Sequence, residues 1–131
     1  IRPGATAWPT DVCVPISRLA DCINQTVEDV ANTNVIAPIV GHVGDGNFHL
    51  LDLCDGADAK GIEQVNWINS RMIDRALAMG GTCTGEHGVG HGKMKYLERE
   101  HGSEAVAMMV AIKRALDPQN IMNPGKVLPM N

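Results

Sequence analysis

Two β-prone runs, residues 35–42 (VIAPIVGH) and 47–54 (NFHLLDLC), stand on either side of Gly44, Asp45 and Gly46. An Asp-Gly pair between hydrophobic runs is a strong short-range hairpin signal, because both residues tolerate the positive φ that tight turns demand. The chain is therefore committed to an antiparallel strand pair. With Asp45 and Gly46 as the central turn residues, Val43 faces Phe48 and His42 faces His49. Directly opposed residues share a face, with Cβ atoms about 4.5–5.5 Å apart. Two imidazoles so placed can share one metal ion; equally, Asp45 and Asn47 can stabilise a turn that carries two solvent-facing histidines. The hairpin alone leaves both readings open.

Periodicity supplies the other elements. Residues 10–16 alternate Val12, Val14 and Ile16 and read as a strand, with Pro15 placing it near an edge or a strand end. Ser17 offers an N-cap to a helix that runs through Leu19, Cys22, Ile23, Thr26, Val27 and Val30 to about Ala31. A second helix follows Ile62, Val65, Ile68, Met72, Ile73, Ala76 and Leu77 until Gly80 and Gly81 stop it, and residues 82–84 (TCT) form a short β-prone run. Strand, helix, strand, strand, helix, strand is the ferredoxin-like split βαβ order, an α+β fold with an antiparallel sheet and helices on one face. A C-terminal helix is expected beyond it, with Ser103 as N-cap, an apolar stripe through Ala105, Met108, Met109, Ile112 and Leu116 whose methionines read as core filler, and a stop at Asp117-Pro118. The 131 residues fit a single domain. Its opening on Ile1 and a loop-like RPGATAWPT suggests part of something longer.

The topology decides what the hairpin histidines meet. Residues 81–93, GTCTGEHGVGHGK, carry Glu86, His87 and His91 among five glycines. In a split βαβ sheet the second and fourth strands end at the same edge, so Glu86 arrives beside His42 and His49. Two neutral imidazoles and a carboxylate are the set that catalytic zinc sites use, with one position open. Adjacent residues in extended chain point opposite ways, so Glu86 and His87 divide naturally into one ligand and one acid/base group. The bland alternative is that the glycines merely permit tight turns. The segment is not a P-loop, because His87 stands where the first Gly belongs and Met94 follows Lys93. GDGNFH is not a dinucleotide fingerprint, since His49 takes the place of the last glycine. Lys93, Lys126 and His101 read as solvated side chains.

Composition excludes several classes. Eleven Lys and Arg against 15 Asp and Glu, with no basic face, argue against a nucleic-acid partner, and one Phe, one Tyr and two Trp build no stacking platform. No apolar run approaches the ~20 residues of a membrane helix and no secretory signal pattern is present. Four scattered cysteines without a C-x-x-C pair read as reduced thiols, in keeping with cytoplasm or mitochondrial matrix.

Taken as whole motifs, GHVGDGNFH (41–49), GTCTGEHGVGHGK (81–93) and LDPQNIMNPGKVLP (116–129), with TDVCVPISRL (10–19) ahead of them, resemble the C-terminal substrate domain of FAD-linked D-2-hydroxy acid dehydrogenases. That family includes the cytochrome-type D-lactate dehydrogenases, whose wording these motifs share most, along with glycolate oxidases and D-2-hydroxyglutarate dehydrogenases. The resemblance covers essentially the whole chain. It implies a divalent metal, zinc being the expected ion, on His42, His49 and Glu86; a catalytic base at His87; and a flavin-facing position at Asn123. It also implies an FAD-binding domain outside this chain, without which the chain would be inactive, and a cytochrome, quinone or flavoprotein as electron acceptor. Leu51 stands where the family often has Asn, which favours a short acid such as D-lactate over a diacid, and His91 stands where an apolar residue is expected. Two rival readings remain: a non-catalytic ferredoxin-like module that binds a metal or small ligand, and metal-assisted hydrolysis by the same set.

Overall fold

Two prolines decide where strands stop. In the computed structural model, which describes residues 6–130, strand β1 (Thr6–Cys13) ends just before Pro15, and helix α1 (Ile16–Ala31) begins directly after it. Pro15 is the N-cap, in place of the expected Ser17, and its carbonyl accepts the Arg18 N–H at 2.7 Å. The strand starts at Thr6, ahead of the expected Thr10, because pairing with its neighbour continues through a stretch that has no alternation to announce it. Of the loop expected at residues 2–10, positions 2–5 lie outside the described residues and the remainder is strand.

Pro38 lacks an N–H to give to a ladder, and strand β2 is accordingly only Ile39–His42, shorter than the expected 35–42. The carbonyls of Ile36 and Pro38 still accept the Leu53 and Leu51 N–H groups, at 2.9 and 3.0 Å. Strand β3 (Asn47–Cys54) spans the residues expected of it and lies in the centre of the sheet, antiparallel to β1 on one side and β2 on the other. The fourth strand expected at 82–84 is reduced to one bridge, Thr82 to Cys13, with N–H···O distances of 2.8 and 3.4 Å. That bridge lies beyond β1, so the order 4-1-3-2 of a split βαβ sheet is kept with its last member one residue long.

Helix α2 (Ala59–Ala78) starts ahead of the expected Ile62, because the Asp58 side chain accepts the Lys60 N–H at 3.1 Å and caps it. Strand alternation puts Val12, Phe48, Leu50 and Cys54 on one face of the sheet. All four are buried, as are Leu19 and Cys22 of α1 and Val65, Ile68, Met72 and Ala76 of α2. The Val, Leu, Ile, Phe and Met side chains among them are each worth about 1.5–3 kcal/mol. Asp29 on α1 pairs with Arg71 at 2.8 Å and with Arg75, joining the two helices.

A second unit begins at His87. Gly88 and Gly90 take positive φ in its opening loop. A 3-10 turn, Met94–Tyr96, runs into a short helix α3 (Leu97–His101), which sequence periodicity did not indicate. Gly102 at φ 84°, and not Ser103, is the N-cap of α4 (Ser103–Leu116). The apolar stripe expected to be buried there is not: Met108, Ile112 and Leu116 are 67%, 54% and 75% exposed, and Val106 is the buried residue. Periodicity reports an apolar face but not the partner that would cover it. Asp117 ends the helix by accepting the N–H groups of Ile121 and Met122, at 3.0 and 2.9 Å, and by pairing with Lys113. The tail returns to the opening loop of this unit, where the Val127 N–H reaches the Gly90 carbonyl at 2.8 Å.

Candidate metal centre

The turn between β2 and β3 is a 3-10 turn, Val43–Asp45, closed by Gly46 in the left-handed region at φ 74°. Four loop residues therefore centre between Gly44 and Asp45, one position earlier than expected. As a result His42 faces Asn47, and His49 faces Val40. The expected direct opposition of His42 and His49 is corrected to a diagonal. A slip of two residues preserves the face, and diagonal neighbours remain within reach of long side chains. The rings lean together, with centroids 5.5 Å apart and planes at 89°.

Across the sheet the register gives two rows on the face opposite the helices: Cys13, Asn47 and His42 in one, Asp11, His49 and Val40 in the other. The chain then returns at Thr82 beside β1 and turns so that Glu86 meets this face. Glu86 Oε1 lies 3.0 Å from His49 Nε2 and 3.6 Å from His42 Nε2. His49 is nearly buried, with 7% of its side chain exposed, whereas His42 and Glu86 are 60% and 51% exposed. One ligand atom from each of the three lies within 4.8 Å of the others.

These residues fit a divalent ion. Tetrahedral zinc with bonds of about 2.0–2.1 Å holds its ligand atoms ~3.3 Å apart, a value that the two measured separations bracket. Two imidazoles and one carboxylate leave a fourth position, and an open pocket of about 320 Å³ adjoins the set, lined by Cys13, His42, Asp45, Asn47, Gly85 and Glu86.

His87 follows Glu86 directly and is exposed, the first residue of the second unit. Asn123 is exposed in a turn at φ 49°, its carbonyl accepting the Lys126 N–H at 3.2 Å. His91 lines a pocket of about 420 Å³ inside the second unit with Met94, Lys95, Glu98 and Pro129. Sequence reasoning missed Asp11, which is completely buried beside the Glu86 turn. A carboxylate in mid-strand, where Asp is disfavoured, was the available signal.

The chain matches the family of FAD linked oxidases, C-terminal domain, over residues 1–127. It is 52% identical over 128 residues to a probable mitochondrial D-lactate dehydrogenase of Danio rerio, covering 98% of this chain and 26% of that protein. Identity to the mitochondrial D-lactate dehydrogenase [cytochrome] of Arabidopsis thaliana is 47% over 129 residues, or 98% of this chain and 23% of the relative. Glycolate oxidase subunit GlcD of Bacillus subtilis is 38% identical over 117 residues, 89% of this chain and 25% of its own length. The chain thus spans about a quarter of the length of these relatives.

Proposed function

Because the chain belongs to the family of FAD-linked oxidase C-terminal domains, we propose that it forms the substrate side of an enzyme that oxidises a D-2-hydroxy acid, D-lactate first, to the 2-oxo acid. The observation that carries this reading is the convergence of His42, His49 and Glu86 on one point beside an open pocket. A divalent ion held there, zinc being the first candidate, supplies Lewis acidity toward the hydroxyl and carboxylate oxygens of a 2-hydroxy acid. The flavin supplies the hydride acceptor.

This chain's own groups orient the substrate and move one proton. Buried His49 gives the ligand set a fixed member, and exposed His42 and Glu86 border the opening through which a small acid enters. His87, joined covalently to Glu86, would take the proton of the substrate hydroxyl, and a bound flavin would supply the acceptor for the C2 hydride. Asn123 is assigned to the flavin side of the second unit. Preference for D-lactate is supported by Leu51, and by the higher identity to mitochondrial D-lactate dehydrogenases, 46–52%, than to a probable D-2-hydroxyglutarate dehydrogenase of rice, 33%. The mitochondrial relatives support a mitochondrial location, and the electron acceptor beyond the flavin is a cytochrome, a quinone or another flavoprotein.

The test is anaerobic flavin reduction in the intact protein. D-lactate bleaches the flavin, and His87→Ala slows the bleaching by at least about 10²-fold with substrate affinity retained. Equal rates in parent and variant would remove His87 from the mechanism, and no bleaching of the parent by any short D-2-hydroxy acid would remove the reading.

A further inference from the structure

Asp11 places a carboxyl group within β1, and none of its surface reaches solvent. Its register partner is His49, so it stands on the face that bears the metal centre and not on the face that packs against the helices. A buried carboxylate persists only where donors compensate it, and here several converge. Oδ1 accepts the Thr84 hydroxyl at 2.9 Å. Oδ2 accepts the backbone N–H groups of Gly85 and Glu86, each at 2.7 Å, and the Asn47 amide at 3.4 Å.

A single side chain therefore grips three consecutive residues, 84–86. Those residues have no helix or ladder of their own to fix them. The grip is close on its other side too. The Asn47 amide also donates to the Val12 carbonyl at 3.1 Å, and a Cβ at Gly85 would lie 1.8 Å from its nitrogen. Glycine is what allows the turn to lie against β1 and β3 at this point.

We infer that Asp11 is the positioning residue of this centre: its buried carboxylate holds the 84–86 turn so that Glu86 Oε1 meets the Nε2 atoms of His42 and His49. The inference rests on the metal-centre reading above. A carboxylate oxygen of Asp11 also lies within 4.8 Å of a ring nitrogen of His49, but both Asp11 oxygens already accept N–H or O–H groups of residues 84–86. Its role is therefore that positioning one and not that of a fourth ligand. A carboxylate suits it because one acceptor-only group offers about four lone-pair sites. Asparagine can imitate most of this, with its oxygen toward the two N–H groups and its amide toward the Thr84 oxygen; alanine imitates none of it.

The test measures zinc affinity by chelator competition in the intact protein, with the unfolding midpoint of the zinc-free form alongside. Loss of a group that orients a metal ligand typically costs 10–100-fold in affinity. Asp11→Ala is expected to weaken zinc binding by about that factor, and Asp11→Asn to restore it to within a few-fold of the parent. If Asp11→Ala does not fold, Gly85→Ala carries the test from the other side, since its methyl would meet the Asn47 amide nitrogen at 1.8 Å and Asp11 Oδ2 at 3.3 Å and so pushes the same turn away while the Asp11 carboxyl itself is kept. Zinc binding as tight as the parent's in the variant that folds overturns the inference. So does a loss of affinity in Asp11→Asn equal to that in Asp11→Ala. Glu86→Ala separates the two levels of the argument: a parent that binds no zinc overturns the metal-centre reading and this inference with it. Binding lost in Glu86→Ala but kept in Asp11→Ala overturns this inference alone.

Discussion

At the scale of single residues, the two histidines of the centre differ in what they do for the fold. His49 is nearly enclosed on the central strand, whereas His42 stands at the sheet's rim. His42→Ala is accordingly expected to abolish zinc binding while shifting the stability of the zinc-free protein by no more than about 0.5 kcal/mol. His49→Ala should lose both binding and stability, and urea unfolding of the two variants separates the effects. Asp52 is a second buried carboxyl of the sheet, on the core face of β3, and burial pushes it up to about 6, with the Asn69 side chain pulling the other way. A folded-state value above the unfolded one means that the folded protein holds this proton more tightly. The contribution is full below the ordinary value near 3.8 and is lost as pH rises through about 6. The loss is on the order of 2–3 kcal/mol. Asp52→Asn stays neutral, so its stability should not fall between pH 4 and 7, and at pH 7 it should exceed the parent's. Parallel stability profiles for the two proteins would show that Asp52 is not the group responsible.

At the scale of elements, the hairpin was legible because both of its strands and its glycine turn obey local rules. Strand β3 occupies the residues its composition indicates. The two-residue slip in register was not legible, since it depends on how the turn closes: Gly46 in the left-handed region donates its N–H to the Val43 carbonyl at 3.3 Å and accepts the Val14 N–H at 2.9 Å. A Cβ on Gly46 would lie 2.0 Å from the Val14 carbonyl oxygen. Gly46→Ala therefore meets both backbone strain and a backbone clash, and a loss of about 2 kcal/mol or more in unfolding free energy is expected, with weaker zinc binding because His42 and His49 flank the turn. An unchanged midpoint would mean that the turn can close differently. Strand β1 was half legible, its end marked by Pro15 and its beginning hidden by a segment without alternation. Asp11 escaped notice because its donors come from residues 84–86, more than seventy positions away, and no local pattern encodes such a contact. The exposed stripe of α4 shows the same limit from the other direction: spacing places an apolar face but does not say what meets it.

At the scale of the whole molecule, the account joins an α+β sheet, whose helix-free face carries a three-ligand set, to a family of flavin-linked oxidases. The chain is a quarter of the length of its relatives, so the remaining chemistry is expected from outside these residues. A short substrate is the prediction at this scale. The intact protein should favour D-lactate over D-2-hydroxyglutarate in kcat/KM by about tenfold or more, because Leu51, where the family often has Asn, offers no polar group to compensate a second buried carboxylate. The central claim is that His42, His49 and Glu86 form a metal centre, and zinc stoichiometry tests it most directly. One ion bound per chain after stripping and readdition, lost in both His42→Ala and Glu86→Ala, is the predicted result. No binding by the parent, or binding undiminished in both variants, would contradict it.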